Sequence, residues 1–218
     1  MVSSAVKKYA ALCMVCLCSS LFFLGLYQFN NKYSQNTIQA ANGILALSEE
    51  ELQKSPVRFL VSGWAFYPDA LLTPEEIQDE SHYMRYLSIG EQTNFSSPAN
   101  PSPYGCGTYQ MTFFLPERKE VYALEIPEVF SAYNLYLDYD LILQMGEPAQ
   151  GTPLVQNRMV TFYGGKPVTL TIAVSNYDHF YGGIVYPPAF GTMLAVNTTR
   201  GIRFAFCLFS CTVTFVCA

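Results

Sequence analysis

The chain has 218 residues, half of them apolar, with 12 basic and 17 acidic side chains for a net charge of −5. All the acids and nine of the basic residues fall between positions 30 and 200, leaving that stretch at −8. An acidic segment without a basic run excludes a nucleic-acid surface and is repelled by anionic lipid. Its length suits one domain with a sizeable core rather than two.

Tyr9 to Phe29 carries no charge over 21 residues, enough for a helix to cross a bilayer core of ~20 apolar residues. Lys7 and Lys8 before it place residues 1–8 in the cytoplasm and the following domain outside. The run is longer than a signal-peptide core and ends Leu-Tyr-Gln-Phe-Asn without a small-residue cleavage site, which favours an uncleaved anchor over 9–29. Cys13-x-x-Cys16 sits in this run and reads as small membrane-helix residues rather than a metal motif. Cys106 is the single cysteine between the apolar ends, so no disulfide framework is expected there, and an exported domain without one points to a bacterial surface.

Residues 30–44 are polar and aperiodic and are expected to be a linker. Ser48-Glu49-Glu50-Glu51 is a capping box and Thr73-Pro74-Glu75-Glu76 repeats the signal, predicting short helices after Ser48 and over Pro74–Asp79. The rest reads as strands. Val168 to Ser175 and Thr108 to Phe113 alternate apolar and polar residues. Arg58–Tyr67, Glu120–Ile126, Ala132–Leu137, Leu141–Gln144 and Arg158–Tyr163 are β-branched or aromatic runs between turns. Asn94 to Gly107, with three prolines, is a long surface loop. Strands this short and closely spaced predict an all-β, antiparallel sandwich over 45–200. Phe204 to Ala218 is again free of charge, and residues 202–218 are expected to begin a second membrane helix that the chain leaves truncated.

Four segments in order resemble one family. Gly63-Trp64-Ala65-Phe66-Tyr67 with Leu71-Leu72-Thr73-Pro74, Gly105-Cys106-Gly107-Thr108-Tyr109, Leu124-Glu125-Ile126-Pro127 to Ala132-Tyr133-Asn134-Leu135-Tyr136, and Val174 to Gly183 look like the extracellular jelly-roll module of bacterial seven-transmembrane receptors with diverse intracellular signalling modules. That module resembles galactose-binding β-sandwiches. The resemblance implies a jelly roll, a carbohydrate ligand and a receptor-bundle helix after Arg203, with histidine kinase or diguanylate cyclase outputs elsewhere in such proteins. The family's Asn-Gly hairpin is replaced here by Asp138-Tyr139-Asp140, for which a longer or different turn is expected.

Sugar recognition needs a flat aromatic and a few fixed polar groups. Four residues are candidates, each with a structural alternative. Trp64 is a stacking platform or, following Gly63 in an apolar strand, a core residue. Arg85 clamps a carboxylate or pairs with a surface acid. Asn176 reads a hydroxyl or caps a turn. His179 contacts ligand or is solvated. The tyrosines at 83, 86, 177 and 181 are further candidates. With two histidines, His82 and His179, no catalytic triad or paired-carboxylate cleft stands out, so no catalysis, metal or cofactor is expected. The resulting expectation is a membrane-anchored, extracytoplasmic sensor of a small carbohydrate ligand, contacting the bilayer through both apolar segments and compatible with a homodimer. Its rivals are an adhesion module and the ancillary sugar-binding domain of an exported carbohydrate-active enzyme.

Overall fold

The computed structural model describes residues 4–34, 37–79, 81–90, 95, 102–117 and 119–217. Half of the predicted loop at 94–107 thus lies outside the described residues. The chain divides into two compact units, Met1–Ser34 and Gln35–Ala218. The first holds helix α1, Ser4–Asn30, whose apolar side chains are exposed on every side. Among the described residues it is the one helix long and apolar enough to cross a bilayer, 25 residues from Val6 to Asn30. Signal sequences share that length and composition.

The second unit contains, in chain order, β1 (Ile44–Ala46), α2 (Glu49–Lys54), β2 (Val57–Phe59), β3 (Trp64–Pro68), α3 (Pro74–Asp79), β4 (Arg85–Leu87), β5 (Gly105–Phe114), β6 (Tyr122–Ile126), β7 (Ala132–Leu137), β8 (Asp140–Met145), β9 (Arg158–Phe162), β10 (Val168–Asn176), β11 (Ala189–Thr192) and α4 (Met193–Cys217). Two sheets form. One runs β4-β3-β5-β10-β7-β8 with β1 beside the end of β5, and the other runs β2-β11-β6-β9. The result is a β-sandwich, as the alternation predicts. Pairing is antiparallel except between β1 and β5, which is parallel. The exception arises because β3 covers β5 only over Gly107–Gln110, leaving Thr112–Phe114 for the incoming chain.

Inward residues of the two sheets meet as a core. Phe190 stacks between Phe113 at 5.1 Å and Tyr122 at 5.7 Å, and Trp64, Phe66 and Leu170 are fully enclosed. Side chains of this size each contribute about 1.5–3 kcal/mol when removed from water. Both predicted helix starts are present. Ser48 Oγ accepts from Glu51 N–H at 3.3 Å while Glu51 Oε2 accepts from Ser48 N–H at 2.6 Å, and Thr73 with Glu76 repeats the exchange.

Four expectations need correction. Arg58–Tyr67 is not one strand: the chain leaves β2 in one sheet and enters β3 in the other through Gly63, which takes φ +80°, and any Cβ there would collide with the Ala40 carbonyl. The segment 37–44 is no free linker. Ala40 is buried, Gln39 Oε1 accepts from the Val61 N–H at 3.1 Å, and the enclosed Arg58 guanidinium donates to the carbonyls of Ile38, Glu51 and Ser55. At 138–140 the longer loop gives way to the other expected form, a different turn: Asp138 adopts φ +53° while Tyr139 does not take a positive φ, and Leu137 pairs directly with Asp140. Asp138 Oδ1 also accepts from the Thr169 N–H at 2.9 Å, tying that conformation to β10. Finally, α4 starts at Met193, well before residue 202. Val196 is fully buried against the sandwich, and Arg203 lies 4.9 Å from the Phe59 ring centroid.

Tyr109 is enclosed beside Trp64, and burial pushes its phenol up from 10 to about 12, against weaker opposing pulls from the Ile184 backbone and Arg85. The unfolded chain releases this proton near 10 and the folded chain near 12, so the contribution is intact below about pH 10 and is lost as pH rises to about 12. Over that window the loss is about 2–3 kcal/mol. A melting series is therefore expected to fall most steeply above pH 10, and Tyr109→Phe to flatten the slope; a slope unchanged by the substitution would refute the assignment.

Candidate functional site

The end of β10 pairs with the start of β5, Asn176 opposite Gly105, and β7 begins there with Ala132 opposite Ser175. These registers bring the segments 102–104, 127–131 and 177–188 to one rim of the sandwich. Asn176, 1% exposed, braces them. Its Nδ2 donates to the carbonyls of Pro103 at 2.7 Å and His179 at 2.6 Å, and its Oδ1 accepts from the His179 N–H at 3.0 Å.

The turn so held presents a shelf of rings. His179 stacks on Phe130 with centroids 4.6 Å apart and planes 10° from parallel. Tyr181 lies 5.7 Å from His179 and 6.2 Å from Phe130, and Tyr186 is 6.5 Å from Phe130. His179 Nδ1 accepts from the Tyr181 N–H at 3.0 Å. A neutral imidazole in that role carries its proton on Nε2 and can donate from it. Phe180, Tyr181 and Tyr186 are exposed. The return to the core needs Gly183, at φ +78°, where a Cβ would strike the Tyr109 hydroxyl. Exposed flat rings around a donor are the elements that a pyranose face and its hydroxyls require.

Of the four sequence candidates, the structure brings Asn176 and His179 together and sets the other two apart. Trp64 is wholly enclosed, its Nε1–H donating to the Leu60 carbonyl at 3.0 Å, so it packs the core and offers no face to a ligand. Asn176 is committed to backbone and acts as a brace. Arg85 pairs with Phe66 across β3 and β4 and holds its guanidinium 5.3 Å from that ring's centroid, a cation–π contact. His179 keeps an edge for solvent. Phe130 and Tyr186 escaped the sequence reading. The signal for Phe130 is an aromatic placed in a turn, three residues after Pro127, where no strand alternation calls for one.

No family model matches the sequence, and no curated protein does. Solved structures do. A family 2 glycosyl hydrolase from Bacteroides cellulosilyticus aligns with 63% of this chain and 20% of its own at 12% identity and a TM-score of 0.50. β-Glucuronidases from Parabacteroides merdae (12% identity, 63% of this chain, 21% of that one, TM-score 0.49) and Faecalibacterium prausnitzii (17%, 63%, 32%, 0.45) align as well. The chain thus spans between a fifth and a third of the length of these enzymes. At such identities the likeness to the Bacteroides structure is one of fold, a β-sandwich shared with part of a carbohydrate-active enzyme.

Asn176→Ala leaves two carbonyls and one N–H of the rim without their partner and is expected to cost about 2–4 kcal/mol. Trp64→Ala should cost about 3–5 kcal/mol as a core vacancy. Thermal or urea melts check both, and a Trp64→Ala protein of unchanged stability would contradict the burial described here.

Proposed function

We propose that residues 37–192 form an extracytoplasmic, carbohydrate-binding jelly-roll domain that senses a small ligand for a bacterial membrane receptor, tethered through α1 and continued through α4. The observation that carries the sugar assignment is the shelf of Phe130, His179, Tyr181 and Tyr186, held by a buried asparagine. The four family-like segments support the receptor reading, since three of them supply the strand ends that build this rim. Sensing requires that ligand favour one arrangement of domain and α4 over another, because only differential affinity shifts an equilibrium. A ~100-fold preference, ~2.7 kcal/mol, is ample.

The likeness to a family 2 glycosyl hydrolase at a TM-score of 0.50 favours a second reading, an ancillary sugar-binding domain of an exported carbohydrate-active enzyme. Binding of sugar is common to both. Ligand-dependent hydrogen exchange in the first turns of α4 belongs to the sensor alone.

The test is a glycan array with the full chain in detergent, followed by calorimetry on the strongest hit. His179→Ala and Tyr181→Ala are each expected to weaken binding by about 1–3 kcal/mol at an unchanged melting temperature. Absence of any glycan hit, or affinity indifferent to both substitutions, would refute the sugar assignment and favour adhesion.

Topology is tested separately. With Lys7 and Lys8 ahead of the uncharged run Tyr9 to Phe29 of α1, a reporter fused after Gly146 is expected to be active outside the membrane and one placed before Lys7 inside. Cytoplasmic activity at Gly146 would reverse the arrangement.

A further inference from the structure

The rim leaves the outer face of the seven-stranded sheet unused. Alternation turns Phe66, Tyr109 and Leu170 into the core, so their neighbours point outward. Through paired positions one outward row runs Tyr86, Ala65, Gln110, Thr171, Tyr136 and Leu141. One step nearer the rim, Tyr67 stands on β3 and Asn134 on β7. No residue of these two rows is charged, although the surrounding segment carries −8.

Height varies across the face. Ala65, Thr171 and Ala173 are buried floor, while Tyr86 is 49% exposed. Burial pushes the Tyr67 phenol up, and the nearby Tyr86 adds to that push. Tyr86 and Tyr136 are four strand spacings apart, about 19 Å, with Gln110 between them donating to Thr171 Oγ1 at 3.3 Å. Asn134 Oδ1 is enclosed and accepts no hydrogen bond, and its Nδ2 makes a long 3.5 Å contact with the Tyr136 hydroxyl.

We propose that this face is a second binding site, separate from the rim, for a neutral, extended oligosaccharide laid across the strands. Tyr86 and Tyr136 stack its terminal rings, and Gln110 serves a hydroxyl between them, with Asn134 Nδ2 beside Tyr136. The charge pattern selects the occupant: a neutral polyol meets no unpaired charge in these two rows, whereas a uronic-acid polymer finds no lysine or arginine in them. A protein partner or second copy fits less well, since interface hot spots are aromatic at the centre, and here the tyrosines flank a centre of Ala, Gln and Thr.

Calorimetry of the full chain in detergent against cellohexaose, xylohexaose, mannohexaose and hexagalacturonate tests the site. At least one neutral hexamer is expected to bind and hexagalacturonate not to. Tyr86→Ala and Tyr136→Ala should each weaken that hexamer at least about tenfold, and His179→Ala should leave it unchanged. Should Tyr136→Ala lower the melting temperature, Gln144→Arg, at an exposed position opposite Asn134, blocks the face instead and should abolish binding. The proposal is overturned if no neutral hexamer binds, if hexagalacturonate binds as well, or if binding survives Tyr86→Ala and Gln144→Arg. Loss on His179→Ala alone would assign the hexamer to the rim, and a dimer dissociated by Tyr86→Ala in sedimentation equilibrium would assign the face to a second copy; either outcome also overturns it.

Discussion

The nine-residue antiparallel ladder between β5 and β10 sets the position of everything else. It runs from Val168 opposite Phe113 to Asn176 opposite Gly105, and β10 is paired on its other edge with β7. A slip of one residue would turn Leu170, Ile172 and Val174 to the outside and bring Thr169, Thr171 and Ala173 inside. The same register aims three things at once: the inward row that fills the core, the uncharged outward row, and the terminal Asn176 that braces the rim. Because β10 is central, neither the rim nor the outer face can shift without loss of core packing.

Legibility in the sequence followed the physics of each element. The strict alternation of β10 and β5 and the capping boxes of α2 and α3 are local patterns, and the sequence displays them openly. The three-residue strands β1 and β2 are held by partners far away in the chain, and these and β4, which pairs with the preceding strand β3, are too short to carry periodicity of their own. Gly63 hid the passage of the chain between sheets, since Arg58 to Tyr67 is apolar and β-prone throughout. The start of α4 was obscured because Met193 to Asn197 packs on the sandwich with one buried residue, Val196, and an amphipathic turn looks unlike the apolar run that follows. At the site, His179 could be chosen from its polar turn, but its partner Phe130 lies 49 positions away, and only the β7–β10 pairing brings them together.

Buried polar groups anchor both ends of the sandwich unit. Arg58 gives its guanidinium to three carbonyls, one of them Ile38 on the incoming segment, which offsets the desolvation that pulls its pKa down. The next residue, Phe59, faces the opposite side of β2 and receives Arg203 of α4. Entry and exit of the chain therefore share one short strand, with adjacent residues holding each.

That arrangement constrains how occupancy of the rim could reach α4. The rim loop ends at Tyr186, and Pro188 accepts a hydrogen bond from the Leu60 N–H at 2.8 Å before β11 begins. β11 then runs without a gap into Met193. Residues 197–201 are helical and continuous with both flanks. Movement of the 177–188 segment must then arrive as displacement of β11 and of α4 as one body, resisted by β2. β11 is held on both edges, by three paired residues of β2 and four of β6, and its Phe190 is fixed between Phe113 and Tyr122. Any such displacement of α4 therefore has to carry the buried Phe190 and Val196 with it, which couples the helix to the core and not to the rim loop alone.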